Sequence, residues 1–512
     1  MNRKKIFSLL FAALTLSSQL VTAQDNSANL TSDMELFKDA SCSQLSKKVK
    51  TTDAFKSRTL KNIAQAMILG NYQSEYLVAE YSAYPSAKAL QDGYALNNNF
   101  SKYENITGVY LEEGEHVIFV SGTKGRSIKL LLPELMRKPE AGIEPTKDPK
   151  GWGLYKQEVE LSEGVNIVNV EKSANAYISY FEDDYKKAPK IKVHFATGKV
   201  NGYFDTTRGD DNTVWDSLLE NAVSPIMDAR GNHIQVAYPV EWFKMFTKSQ
   251  GVELIAAYDK MVYAQFELSG MVKYKKVPMN RIFARVNFNY YMFRDGDGVS
   301  YLGDKSTMGM VTDPNRVSKG DPCWGFSHEV GHAMQIRPLT WGGLTEVSNN
   351  IYSLNNLRIM DGDGPSRIYN SYEKARKSII GSGKSYLHDN DVFNRLVPFW
   401  QLQLYFEENG HADFYADLME HLRNYSKDYE RNETINYQFD FIKACCDISK
   451  TDLTDFFDKW GFFYVGKISV NDYGQYNFNI TQEMVDETKA YIASKNYKQP
   501  TIDITTIDES DK

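Results

Sequence analysis

Residues 321–338 have the sequence DPCWGFSHEVGHAMQIRP. This run predicts the central helix of the second half of the chain. Both of its ends carry helix signals. Asp321 is a favourable N-cap, and Pro322 suits the first helical position. Pro338 is expected to stop the helix, because a proline disfavours helical backbone at the residue before it. The run therefore predicts one helix between these limits.

Two histidines and a glutamate inside this predicted helix indicate a metal centre. His328 and His332 are four residues apart, so their imidazoles share one helix face and can bind one ion. Glu329 lies beside them and can carry a proton from an attacking water to a leaving amine. The alternative is that both histidines are satisfied inside a core helix, but the cap and stop signals favour the metal. We therefore predict one Zn2+ ion per chain as the cofactor.

A catalytic zinc ion needs a third protein ligand and one open position. Glu346 begins a second predicted helix, directly after the loop of residues 341–345 (WGGLT). A helix, a turn and a returning helix would bring this carboxylate to the two histidines. The alternative is a first-turn glutamate that the helix dipole favours. No histidine lies near Leu339, which excludes the pattern that has a third histidine after HExxH.

These segments resemble the enhancin-like zinc metallopeptidases, a family that includes viral enhancins and bacterial mucin-degrading peptidases. The resemblance rests mainly on residues 324–332 (WGFSHEVGH) and 346–354 (EVSNNIYSL). Residues 107–115 (TGVYLEEGE) and 452–461 (DLTDFFDKWG) are also similar. The resemblance thus extends over most of residues 100–465.

The resemblance has implications for the centre and for its substrate. It implies zinc on His328, His332 and Glu346, with Glu329 as the catalytic base. It also implies an endopeptidase that cleaves the peptide backbone of O-glycosylated, mucin-type proteins and recognises a sugar on them. No separate carbohydrate-binding module is recognisable in this sequence, which leaves glycan binding to the catalytic cleft or to a β-sandwich.

Four polar or aromatic residues that flank the predicted ligands are candidates for substrate binding. They are Trp324, Trp341, Asn349 and Asn350. Each can contact a sugar, and helix packing and capping explain each about as well.

A peptidase also needs an edge strand that pairs with the substrate backbone. Residues 284–292 (ARVNFNYYM) predict such a strand ahead of the metal-binding helix. Tyr290 and Tyr291 within it can assist at the site, but packing inside the sheet is the favoured interpretation for both.

The remaining sequence predicts a multidomain α+β protein. Short apolar strands separated by turns indicate an antiparallel β-sandwich, followed by a mostly helical, zincin-type metallopeptidase domain. The predicted segments are a signal peptide (1–23), a helical N-terminal segment (24–99), the sandwich (100–205), the catalytic domain (206–465) and a C-terminal segment with a polar tail (466–512).

The first residues predict export. Basic residues 3–5 precede an apolar run at 6–16, and VTA at 21–23 offers a cleavage site. The apolar run is too short for a transmembrane span, and no later run is long enough. We expect an exported protein that is secreted, periplasmic or on the cell surface.

The net charge of −7 and the lack of a strongly basic stretch argue against nucleic acid as a partner. The four cysteines, Cys42, Cys323, Cys445 and Cys446, are too few for a disulfide scaffold and lack the CxxC spacing of a cysteine zinc site. Cys445 and Cys446 are predicted to be small buried residues on a helix.

Two other functions are alternatives to the endopeptidase. One is a secreted glycan- or protein-binding factor with a non-catalytic zinc site, but such a site has no use for Glu329 as a base. The other is an aminopeptidase, which needs an acidic motif upstream to anchor the substrate amine. Residues 308–312 (MGMVT) are not such a motif.

Overall fold

The computed structural model describes residues 25–98, 100–362 and 366–509. The predicted signal peptide at residues 1–23 lies outside these ranges. The described residues group into two units: unit 1 holds 25–89, 100–259 and 279–314, and unit 2 holds 90–98, 260–278, 315–362 and 366–509. The predicted segment boundaries at residues 205 and 465 stay predictions, since the two units group the chain differently.

The described part of the chain is a mixed α/β structure with fifteen α-helices and several sheets. The helices are α1 (Ser27–Met34), α2 (Arg58–Ile68), α3 (Ala87–Gly93), α4 (Asn212–Glu220), α5 (Val240–Phe246), α6 (Gly251–Leu268), α7 (Lys305–Val311), α8 (Gly320–Met334), α9 (Thr345–Met360), α10 (Ser371–Ile379), α11 (Val392–Glu408), α12 (Phe414–Tyr425), α13 (Asn436–Ser449), α14 (Thr454–Lys459) and α15 (Gln482–Ser494). The strands are β1 (Val78–Tyr81), β2 (Asn105–Leu111), β3 (Gly114–Ser121), β4 (Ile128–Pro133), β5 (Lys156–Leu161), β6 (Gly164–Val170), β7 (Ala174–Ser179), β8 (Ile191–Phe195), β9 (Lys199–Val200), β10 (Phe204–Asp205), β11 (Ile226–Arg230), β12 (Ile234–Pro239), β13 (Ile282–Asn287), β14 (Met292–Asp295), β15 (Gly298–Leu302), β16 (Gly466–Asn471) and β17 (Gln475–Ile480).

Two antiparallel sheets in unit 1 share one apolar core and form a β-sandwich. Their strand orders are β1-β8-β3-β6 and β5-β4-β7-β2-β9. Val120 and Val193 from the first sheet and Leu130 and Ile178 from the second belong to the same buried cluster. Alternate side chains of a strand point to opposite faces, so each sheet can bury one row in this core.

The N-terminal segment is less helical than the sequence suggested. Besides short helices it contributes strand β1, which pairs with β8 in the sandwich. Leu30, Leu60 and Ile63 form a second buried cluster with Val117 and Phe119 of β3. This segment therefore covers the face of β3 that points away from the sandwich core.

The region after residue 206, which the sequence predicted as mostly helical, also contributes a sheet to unit 1. Strands β10 to β15 form a mixed six-stranded sheet with the order β10-β11-β12-β13-β15-β14. Every residue of β12 and β13 is buried. A strand that is buried on both faces shows no apolar alternation, and short runs of this kind are hard to distinguish from buried helix.

The predicted edge strand is also placed differently. The segment 284–292 covers the end of β13, the turn after it and the first residue of β14. Strand β13 pairs with β12 on one side and β15 on the other, so it presents no free edge to a substrate backbone. The last strand in the sheet order is β14.

Helix α8 in unit 2 is fixed by buried polar contacts with α6 and α9. Gln265 on α6 donates from Nε2 to the carbonyl oxygen of Ser327, at 2.9 Å. Asn356 on α9 donates from Nδ2 to Ser327 Oγ at 2.8 Å and to the carbonyl oxygen of Met261 at 3.0 Å. Losing a partner of a buried amide N–H group costs free energy, so these contacts favour one register of the three helices.

The polar tail predicted at the end of the chain is packed as far as it is described. Gln401 on α11 donates from Nε2 to the carbonyl oxygens of Thr505 and Ile507, at 3.0 and 2.7 Å. Ile504 and Ile507 are buried. Two isoleucines in an otherwise polar stretch are enough to fold it onto the helix.

The cysteines have the environment that the sequence predicted. All four are unpaired and buried, and Cys445 and Cys446 lie on α13. Among the described helices, none is long and apolar enough to cross a membrane.

Candidate metal centre

Helix α8 carries the HEVGH run, with limits that differ slightly from the predicted ones. It begins at Gly320, so Asp321 lies in the first turn instead of at the N-cap. The N–H of Gly320 donates to the carboxylate of Asp361, at 2.8 Å. The helix ends at Met334, before Pro338. A side chain from the end of α9 thus supplies the acceptor that the sequence assigned to Asp321.

Three side chains that can bind one metal ion converge between α8 and α9. Their ligand atoms, from His328, His332 and Glu346, all lie within 4.8 Å of one another. Nε2 of His328 is 3.1 Å from Oε2 of Glu346, and Nε2 of His332 is 3.5 Å from Oε1. The three residues that the sequence proposed as ligands are therefore brought together. Glu329, on the same helix, is buried beside them.

The imidazole of His328 is oriented by an amide on α9. Its Nδ1 donates to Oδ1 of Asn350, at 2.8 Å. The amide nitrogen of Asn350 donates in turn to the carbonyl oxygen of Glu346, at 2.9 Å, which fixes which end of the amide faces the ring. With Nδ1 protonated, the lone pair of Nε2 is free for a metal.

The imidazole of His332 is oriented in the same manner from its own helix end. Its Nδ1 is 3.0 Å from Oε1 of Gln335. The amide nitrogen of Gln335 donates to the carbonyl oxygen of Thr345 and to Ser348 Oγ, both at 2.7 Å. Gln335 therefore accepts from His332, and Nε2 again faces the other ligands.

The donor set fits a zinc ion. Two imidazole nitrogens and one carboxylate are a common set for catalytic zinc, which keeps one position open. The buried amide of Asn349 places Nδ2 3.3 Å from Nε2 of His328 and 3.1 Å from Nε2 of His332, while its Oδ1 has no hydrogen-bond partner among the described residues. The amide nitrogen of Asn349 thus meets both Nε2 atoms as acceptors, which is the state in which they can bind a cation.

The electrostatics of the centre favour an ionised Glu346. Burial by itself raises the pKa of this carboxyl. Contacts with the imidazoles of His328 and His332, when these are protonated, and the hydrogen bond from Tyr473 outweigh burial and hold the pKa well below its usual range. For His328, burial by itself lowers the pKa, yet the contact with Glu346 and the charge of Glu329 leave it raised. The carboxylates thus make the site attractive to positive charge, whether a proton or a metal ion.

The glycine of HEVGH allows α8 and α9 to approach closely. A Cβ atom at Gly331 would lie 2.6 Å from the carbonyl oxygen of Asn349 and 3.2 Å from its Cα. Because these are backbone atoms of α9, they cannot move aside without moving the helix that carries Glu346.

Replacing Gly331 with alanine is therefore expected to push the two helices apart. We expect a loss of stability of about 1–3 kcal/mol, as for other overpacked sites, and weaker zinc binding because Glu346 moves away from the histidines. Thermal unfolding and zinc titration measure the two effects. Gly93→Ala is the matched control, since a Cβ there meets nothing within 4 Å. Equal zinc affinity in the Gly331→Ala protein would contradict the argument.

The four residues proposed for substrate binding are buried. Trp341 is fully buried and donates from Nε1 to the hydroxyl of Tyr386, at 2.8 Å. Trp324 is also buried. Asn349 and Asn350 face the imidazoles, as described above. All four side chains are thus enclosed by the protein, and a role for them in sugar binding stays a prediction.

Tyr290 and Tyr291 do not pack inside the sheet, so that interpretation is wrong. They lie in the turn between β13 and β14 of unit 1, and are 42% and 45% exposed. Tyr290 stacks on Trp152 with ring centroids 4.6 Å apart. Tyr290 therefore presents an aromatic ring at the surface, stacked on the half-buried Trp152.

The model of one protein family matches this chain. Residues 203–461 match peptidase M60, enhancin and enhancin-like. The chain belongs to this family. The match covers half of the sequence and includes all the residues of the metal centre, so the family resemblance seen in the sequence is confirmed. No curated protein matches the chain.

Solved structures share the fold of this M60 protein. It is similar to a metallopeptidase from Bacteroides thetaiotaomicron, with 23% identity and a TM-score of 0.80 over 95% of this chain and 82% of the other. It is similar to a metallopeptidase in complex with Tn antigen, with 23% identity and a TM-score of 0.73 over 85% of this chain and 80% of the other. It is also similar to the catalytic module of the metalloprotease ZmpA from Clostridium perfringens, with 18% identity and a TM-score of 0.63 over 85% of this chain and 81% of the other.

Proposed function

We propose that this M60 protein is a zinc-dependent endopeptidase that cleaves the peptide backbone of O-glycosylated, mucin-type proteins. The observation that carries the proposal is the cluster of His328, His332 and Glu346, with Glu329 on the same helix as the histidines. A purely structural zinc site has four protein ligands and no need for a further carboxylate. The three side chains here would leave a bound zinc ion one position for a water or a substrate oxygen.

Each residue of the centre has its own role in the proposed peptide hydrolysis. A bound zinc ion supplies a Lewis acid that polarises the peptide carbonyl and lowers the pKa of a water molecule. Glu329 takes the proton of the attacking water and passes it to the nitrogen of the leaving amine. Asn350 and Gln335 keep the two imidazoles in the tautomer that leaves Nε2 unprotonated.

A glycosylated substrate is the second part of the proposal. The family resemblance points to such substrates, and one similar structure is a complex with Tn antigen. The stacked pair of Trp152 and Tyr290 in unit 1 is an aromatic surface of the kind that binds sugars. The net charge is modest, so recognition through a strongly charged surface is not favoured.

Export is the third part. The basic residues 3–5, the apolar run 6–16 and the small residues at 21–23 support a cleaved signal peptide. We propose that the mature protein works outside the cytoplasm, where mucin-type glycoproteins are found, as a secreted, periplasmic or cell-surface enzyme.

Incubating the purified protein with an O-glycosylated mucin fragment tests the proposal. We expect cleavage in the presence of zinc and none after treatment with a chelator, as followed by mass spectrometry of the products. Cleavage of the enzymatically deglycosylated fragment is expected to be about tenfold slower or more. The loss of one good contact to the sugar costs about 1.4 kcal/mol, and each such step is a factor of ten.

The outcomes separate the parts of the proposal. An intact fragment with zinc bound to the protein would contradict the peptidase and favour a glycan- or protein-binding factor. Equal cleavage with and without glycans would leave a zinc endopeptidase but overturn the glycan requirement.

A further inference from the structure

The hairpin formed by β16 and β17 reaches the metal centre from a distant part of the sequence. Its strands pair from Gly466↔Ile480 to Asn471↔Gln475, and Asp472, Tyr473 and Gly474 form the tip. The phenol of Tyr473 donates to Oε1 of Glu346, at 2.7 Å. A residue more than one hundred positions away thus contacts the third predicted ligand directly.

A second contact from the same tip fixes the loop that leads into Glu346. The carboxylate of Asp472 accepts from the N–H of Gly343 at 2.8 Å, from the N–H of Thr345 at 3.1 Å and from Thr345 Oγ1 at 2.9 Å. Thr345 is the first residue of α9 and has no cap from its own loop, so Asp472 satisfies the helix N-terminus. The hairpin tip therefore determines where α9 starts as well as where its first carboxylate points.

The ring of Tyr473 contributes little to packing. Its side chain is 83% exposed, whereas its hydroxyl is engaged with Glu346. Its backbone has φ of 53°, a left-handed conformation that a bulky side chain rarely adopts. A glycine or asparagine would fit this turn with less strain, so the hydroxyl is the feature that a tyrosine adds here.

We propose that Tyr473 is a positioning residue of the metal centre, which holds Oε1 of Glu346 so that Oε2 faces the imidazole of His328. This inference rests on the proposed function, because it takes Glu346 as a metal ligand. With Oε1 engaged by the phenol, Oε2 is the oxygen next to Nε2 of His328, at 3.1 Å. The hydrogen bond fixes the plane of the Glu346 carboxylate. Fewer of its rotated orientations then compete with the one that faces the imidazole. Partners of this kind that orient a metal ligand change metal affinity or activity by about 10–100-fold when they are removed.

Tyr473→Phe tests the proposal, because it removes the hydroxyl and keeps the ring. We expect the affinity for zinc, measured by competition with a chromogenic chelator, to fall by about tenfold, at the low end of the range because the contact is near the solvent. At saturating zinc, kcat on the mucin fragment is expected to fall about tenfold with KM unchanged, since the hydroxyl is engaged by Glu346. The melting temperature should stay that of the wild type.

Two further variants show which part of the tyrosine matters. Tyr473→Ala removes the ring as well, and we expect it to resemble Tyr473→Phe in zinc affinity. Tyr476→Phe, on the neighbouring strand, removes a hydroxyl from a ring that packs near Gly342 and beneath Arg431, and it should behave as the wild type. A Tyr473→Phe protein with wild-type zinc affinity would overturn the proposal, and loss of affinity only in Tyr473→Ala would assign the effect to the ring.

A double-mutant cycle with Glu346→Ala separates this inference from the function on which it rests. If Tyr473 acts through Glu346, then Tyr473→Phe has no further effect on zinc affinity in the Glu346→Ala background. An undiminished tenfold effect in that background would contradict the positioning role. If Glu346→Ala itself leaves zinc affinity unchanged, the proposed ligand set is wrong. If Glu346→Ala loses zinc while Tyr473→Phe alone does not, only the role of Tyr473 is wrong.

Discussion

Replacing Glu329 with glutamine is expected to lower kcat for mucin cleavage by about 10²–10⁴-fold, while zinc stays bound. Glutamine has nearly the same shape, so the buried position is filled as before. It cannot accept the proton of the attacking water, and it has no proton to pass to the leaving amine nitrogen. The expected change therefore lies in the chemical step and not in folding or in metal binding.

Two measurements on the same preparation check this prediction. The initial rate of cleavage at saturating substrate gives kcat, and metal analysis of the dialysed protein gives the zinc content. Asp321→Asn is a suitable control, because it removes a carboxylate from the first turn of the same helix, where the side chain is largely exposed and pairs with Arg367. Undiminished cleavage by the Glu329→Gln protein would remove Glu329 from the mechanism. A low zinc content would instead show that this side chain supports the metal site.

The metal centre could be predicted from the sequence because two of its ligands lie close together along the chain. His328 and His332 are separated by one helical turn, so the periodicity of the helix places them together without any knowledge of the fold. Glu346 required one further assumption, that a helix, a turn and a helix return the chain to the same place. Gln335 lies three residues after His332 on the same stretch, and its role as a partner of the imidazole could have been suggested from that spacing.

Other parts of the centre depend on contacts that no local pattern encodes. Tyr473 and Asp472 reach α9 from a hairpin far along the chain, and a pair of strands with exposed polar residues gives no sign of what its tip touches. The start of α8 also depends on a contact that no local pattern encodes. Asp321 has the chemistry of a cap, but Asp361, from the end of α9, accepts from the N–H of Gly320.

Some parts of the fold could likewise be predicted from the sequence, and others could not. The sandwich was visible in the sequence because its strands are short apolar runs separated by turns. Strands β12 and β13 were missed or misplaced because their side chains are buried on both faces, which leaves an apolar run without a period. The exposure of Tyr290 follows from the turn that ends β13, and the sequence alone placed that residue inside a longer strand.

Glu346→Ala is expected to weaken zinc binding by roughly 10²–10³-fold and to abolish cleavage at ordinary zinc concentrations. Structural zinc sites bind with about 10–16 kcal/mol over four ligands, so one ligand accounts for about 3–4 kcal/mol of that free energy. The same substitution tests the alternative interpretation of Glu346, in which the carboxylate only complements the helix dipole. That role is worth about 0.3–1 kcal/mol of helix stability and involves no metal.

The two interpretations of Glu346 predict different measurements. A ligand gives a large loss of zinc affinity with a small change in the melting temperature of the metal-free protein. A dipole partner gives a small loss of stability and unchanged zinc affinity. Glu483→Ala is the matched control, because Glu483 is exposed and occupies the first turn of α15. It should show the dipole effect alone, so a Glu346→Ala protein that matched it in zinc affinity would remove Glu346 from the centre.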